Sequence, residues 1–122
     1  MQHDTTYRRL IGLAILVPCL SLGLLATAPG ALAQDATTVK LTIKDHKFQP
    51  AEAHAPAGKP IVIEIANLDT TPAEFESKTL RVEKVIAGGS TTTIQVRALA
   101  AGRYRFFDDY HEDTTQGVLV VQ

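Results

Sequence analysis

The chain has 122 residues, with twelve Lys plus Arg against thirteen Asp plus Glu and a formal net charge of −1. It has no basic run, and its lysines and arginines are scattered among acids, so the phosphate-neutralising footprint of a nucleic-acid binder is absent and no nucleic-acid partner is expected. The single cysteine, Cys19, lies in an apolar N-terminal stretch, so the rest of the chain has no disulfide and depends on its core or on a bound ion.

Arg8 and Arg9 precede an almost unbroken apolar stretch from Leu10 to Ala28, and Ala31-Leu32-Ala33 supplies the small-x-small pattern of a peptidase site. Residues 1–33 are read as a cleaved secretory signal peptide, which leaves 34–122 as one exported domain. The stretch approaches the roughly 20 residues that cross a bilayer, but Pro18, Pro29 and Gly30 favour removal over a retained anchor. Without Asp4, Arg8 and Arg9 the remainder carries ten basic and twelve acidic side chains.

In chain order, Val39-Lys40-Leu41-Thr42-Ile43-Lys44 alternates apolar and polar residues, as a strand with one wet face does. Asp45-His46-Lys47 interrupts it, Phe48 is an apolar anchor, and Pro50 confines any strand there to an edge or a bend. A short strand over 53–55 and a turn at Pro56-Ala57-Gly58 lead into Pro60 to Ala66, the clearest core strand. Residues 67–79 are read as a polar connector with room for one turn of helix after Pro72. Leu80 to Ala87 and Thr91 to Arg97 are read as a hairpin around Gly88-Gly89-Ser90. Arg103 to Phe107 directs Tyr104 and Phe106 to one face, and Val118 to Val121, apolar on both faces, reads as a central strand. Six to eight short strands separated by Pro and Gly turns predict an all-β fold, a small Greek-key sandwich.

Ionisable groups gather in two connectors, Asp69, Glu74 and Glu76 in the first and Asp108, Asp109, His111, Glu112 and Asp113 in the second, while His46 stands in a third. Extending the two-residue period of 103–107 brings Asp108 to the inner face at the rim, with His111 three residues on and able to curl back. A carboxylate there must be hydrogen-bonded, paired or holding a cation; spacing alone leaves both a metal site and a structural carboxylate cluster open. No Gly-x-Ser-x-Gly elbow and no phosphate-cradling loop is present.

Taken together, Ile43 to Pro50, Pro56 to Pro60, Asn67 to Pro72, Glu74 to Ser77, Glu83 to Ile86 with Gly88-Gly89, and Gly102 to Phe107 through His111 to Gly117 resemble the cupredoxin family. The likeness is to the small periplasmic cupredoxin-like proteins that accompany bacterial iron permeases. Blue-copper members use a His in the connector after Asn-x-Asp, then Cys-x-x-His and usually a Met. Here Glu74 or a near neighbour stands at the first His, Asp108 at the Cys, and His111 keeps the second His. The resemblance therefore implies a metal site of Glu74, Glu76, Asp108 and His111, with His46 as an alternate, for an iron or copper ion but without a blue-copper centre. It further implies a role in metal uptake with an inner-membrane iron permease or a periplasmic iron-binding partner. Alternatives are a subunit of a ferrous-iron-oxidising system, a β-sandwich interaction module that binds no metal, and a homodimer in which acids of two copies complete the site.

Overall fold

The structure is a computed structural model that describes residues 35–122; the signal-peptide reading lies outside the described residues. Among the described residues nine strands form two sheets. β1 (Thr37–Lys44), β2 (Lys47–Gln49), β4 (Ile61–Asn67) and β7 (Thr91–Val96) make a sheet of order β2-β1-β4-β7. The second, β3-β9-β8-β5-β6, contains β3 (Glu52–Ala55), β5 (Ala73–Ser77), β6 (Val82–Ile86), β8 (Gly102–Asp108) and β9 (Gln116–Val121). The all-β sandwich expected from the turn spacing is what forms, with one strand more than the highest number anticipated.

Alternation explains which side chains meet between the sheets. Leu41 and Ile43 of β1, and Ile61, Ile63 and Ile65 of β4, are at most 2% exposed, because a two-residue period sends every other side chain inward. β1 and β4 run parallel, pairing Val39 with Ile63 and Leu41 with Ile65, so both inward rows fall in step. Phe48, Phe75 and Phe106 fill one end of the core. Phe48 stands edge-on to Phe106 at 4.9 Å between ring centroids, and Phe75 stacks on Phe106 at 5.2 Å, arrangements that suit the ring quadrupoles. This dry trio lies under the rim that carries Asp108.

Two local expectations fail. The segment after Pro72 is the strand β5, not a helical turn: it pairs with β6 along its length and with β8 through Phe75 opposite Asp108 and Glu76 opposite Phe107. Burial of Ala73, Phe75 and Ser77 outweighs the weak helix-start preference of Pro-Ala-Glu. Nor is Gly88-Gly89-Ser90 a hairpin turn. β6 pairs with β5 and β7 with β4, so the glycines carry the chain from one sheet to the other. Gly88 passes so close to the Thr70 carbonyl that a Cβ would lie 2.1 Å from its oxygen, and Gly89 donates to the Asp69 carbonyl at 2.9 Å. The pair serves a close backbone approach, one of the uses of glycine in strand-rich sequence.

Candidate functional site

Asp108 ends β8 on the inner face, as the strand period predicts, and its side chain is 1% exposed. One oxygen, Oδ1, accepts from the backbone N–H groups of Glu74 (2.8 Å) and Tyr110 (3.1 Å). The other, Oδ2, lies 3.1 Å from Nδ1 of His111. Asp108 also caps the 3-10 turn Asp109–His111, and that turn folds the His111 imidazole back over the Asp108 carboxylate. Two backbone N–H groups and one imidazole give the buried carboxylate the partners it needs.

His46 reaches the same rim from the β1–β2 turn. Asp45 and His46 have φ of 51° and 54°, the paired left-handed geometry of a two-residue hairpin whose twist matches its strands. The Asp69 carboxylate locks this turn by accepting from the N–H groups of Asp45 (2.7 Å) and His46 (2.9 Å). Asp69 is fixed in turn by Asn67, buried at the end of β4, whose Oδ1 accepts from the Asp69 N–H at 3.1 Å while Nδ2 donates to the carbonyls of Thr71 and Ile86. The Thr115 hydroxyl donates to the His46 carbonyl. The His46 backbone N–H is the main reason the Asp69 carboxyl is held below its usual pKa, partial burial opposing it.

These supports bring two rings together. The centroids of His46 and His111 are 4.1 Å apart with planes tilted by 35°. Nδ1 of His46 lies 3.8 Å from Asp69 Oδ2, so each imidazole has a carboxylate behind it. The side chains remain 45% and 37% exposed. Tyr110, next in sequence to His111, is also exposed.

Glu74 and Glu76 belong elsewhere. Because β5 is a strand with Ala73, Phe75 and Ser77 inward, both glutamates lie on the outer face, opposite in sense to Asp108. Glu76 sits directly across from Glu83 on β6. Desolvation first, and then Glu83 beside it, raises the pKa of Glu74; desolvation and then Asp109 raise that of Glu76. The five residues expected to share one site thus divide between a histidine–aspartate rim and an acidic sheet face. Among the described residues no three His, Cys, Asp or Glu side chains are grouped so as to hold a metal ion. Sequence reasoning gave Asp69 and Asn67 no role; an Asn-x-Asp following a core strand, facing an Asp-His turn, was the available signal.

The family description of the cupredoxin-like domain matches residues 14–121. An uncharacterized protein of Rickettsia prowazekii is 42% identical over 83 residues, which span 68% of this chain and 66% of that protein. Among solved structures, the blue copper protein auracyanin A of Chloroflexus aurantiacus superposes with a TM-score of 0.62 at 16% identity, over 72% of this chain and all of that one. The metal-binding domain of the Streptococcus pneumoniae Cu(I)-exporting P-type ATPase, determined with Cu(I), gives 0.60 at 16% identity, over 70% of this chain and 84% of that one. At such identities the likeness concerns the fold. A blue-copper centre does not fit the residues present: the described residues contain neither Cys nor Met, and the carboxylate at the thiolate position is occupied with two backbone donors and an imidazole. By its match over most of its length, the chain belongs to the cupredoxin-like family.

Proposed function

We propose that the protein is exported to the periplasm and there binds an iron or copper ion during metal uptake, receiving it from or presenting it to an inner-membrane iron permease or a periplasmic iron-binding partner. The observation that carries this reading is the buried Asp108 carboxylate set against the His111 imidazole at the rim, with a second imidazole packed at a tilt against the first. Export rests on the N-terminal leader pattern. Copper is the ion named for the auracyanin and the ATPase domain; iron rests on the resemblance to permease-associated proteins. Imidazole and carboxylate donors suit Fe(II), Cu(II) and Zn(II) better than Cu(I), which favours sulfur.

Calorimetric titration of the protein with Fe(II) under anaerobic conditions, Cu(II) and Zn(II) tests the reading. Binding of at least one ion well below millimolar, weakened by His111→Ala, is expected; no binding tighter than millimolar for any of them overturns it. Steady oxidation of Fe(II) by the purified protein in air would mark a redox enzyme instead of a carrier.

One observation favours a second reading. Both Asp108 oxygens already have protein donors, which is also how a purely structural cap is satisfied. A sandwich that serves only as an interaction module predicts that His111→Ala changes no metal affinity.

A further inference from the structure

We propose that the metal-binding group is the His46–His111 pair acting through its two Nε2 atoms, with Asp108 and Asp69 as positioning residues and not ligands. The inference rests on the metal-binding reading and deepens it by naming the donors and the class of ion.

A carboxylate can only accept a hydrogen bond, so the His111 nitrogen 3.1 Å from Asp108 Oδ2 carries the proton. That leaves the lone pair of a neutral His111 on Nε2. Nδ1 of His46 is turned toward Asp69 Oδ2 at 3.8 Å, beyond hydrogen-bond length, so Asp69 orients this ring electrostatically. Neither Nε2 has a hydrogen-bond partner among the described residues. A histidine whose far nitrogen rests on a carboxylate is the arrangement metal sites use to fix the tautomer and raise donor strength. His111 has it in full, and the His46 ring packs against His111 with a carboxylate of its own 3.8 Å behind it.

The spacing supports chelation. With Nε2 about 2.0–2.1 Å from an ion, a ring centroid stands roughly 3.2 Å away, so two cis rings are about 4.5 Å apart at a right angle and about 5.2 Å apart at the tetrahedral angle. The observed 4.1 Å needs only a few tenths of an ångström of opening to reach the first. Both side chains are more than a third exposed, which permits that motion and lets an ion arrive from solvent.

Two consequences follow for the ion. Two imidazoles without a protein carboxylate suit borderline divalent ions such as Cu(II) and Zn(II) over hard oxygen-seeking ones. Two protein donors also leave the remaining coordination positions to water or to a partner's side chain. Such an ion is held for ligand exchange, not for storage.

Imidazole 15N NMR of the full chain titrated with Zn(II), a diamagnetic probe, reads the donors one by one. The expected result is that the Nε2 resonances of both His46 and His111 shift, while those of His54, in β3 beside Glu52, do not. His46→Asn tolerates the left-handed backbone of the turn, so it tests the imidazole without breaking the hairpin. It should weaken Zn(II) and Cu(II) binding by about 10-fold or more, at least what loss of one supporting hydrogen bond costs a metal site. Glu74→Gln with Glu76→Gln should leave affinity unchanged. If wild-type protein binds Zn(II) but His46→Asn retains full affinity, or if His111 shifts at Nδ1, the pair is overturned and a site between Asp108 and His111 takes its place. If no ion binds the wild type, both the pair and the metal-binding reading fall.

Discussion

The histidine–aspartate rim and the acidic face of β5 and β6 are built from similar residue types and behave oppositely. At the rim each carboxylate has a specific donor set: Asp108 takes two backbone N–H groups and an imidazole, and Asp69 takes the two N–H groups of a strained turn. On the sheet face the carboxylates meet one another, Glu76 opposite Glu83 and Glu74 beside it. Burial at the rim is compensated, while crowding on the face is not. The lesson is that acidic residues near one end of a sandwich carry no common meaning until their donors are known. Strand parity decides which of them receive any.

Three substitutions break or sharpen this contrast. Asp108→Ala has the largest effect: it takes away a 1%-exposed carboxylate that satisfies the Glu74 and Tyr110 N–H groups and should lower unfolding stability by about 3 kcal/mol, measured by urea denaturation. A loss below about 1 kcal/mol would mean water reaches those donors. Asp69→Ala comes next, at about 1.5 kcal/mol, because its donors lie nearer the surface. The Asp69 carboxyl has its pKa lowered by folding, so its stabilisation is present above the unfolded-state pKa and disappears as pH falls through the folded value. Wild type should therefore lose more stability than Asp69→Ala on acidification below the ordinary carboxylate range. Glu76→Gln gives the smallest effect and the opposite sign. The Glu76 carboxyl has its pKa raised by folding, so its favourable contribution is present below the unfolded value and lost as pH rises through the folded one. The amide should make the protein slightly more stable at neutral pH and flatten that part of the pH profile. Equal pH profiles for wild type and Glu76→Gln would show that the acids of the sheet face are fully hydrated.

Much of this was legible in the residues because alternation encodes facing. Val39-Leu41-Ile43 and Ile61-Ile63-Ile65 announce two core rows, and the period through Tyr104 and Phe106 puts Asp108 inside. Alternation does not encode partners. Nothing local distinguishes a strand after Pro72 from a connector, and Gly88-Gly89 suits a reversal as well as a crossing between sheets. The meeting of His46 with His111 depends on the order of strands in two sheets and on Asn67 and Asp69 fixing a distant turn. No window of neighbouring residues contains that information.

The backbone of His46 adds a selective consequence. Its φ of 54° is one that glycine adopts freely and an ordinary side chain adopts at a penalty of about 1 kcal/mol. A lineage under pressure only to fold would drift toward glycine or asparagine at position 46 and gain thermostability by doing so. Keeping an imidazole on that left-handed residue places the rim under tension between durability and chemistry, and laboratory selection for heat resistance alone should erase this histidine early.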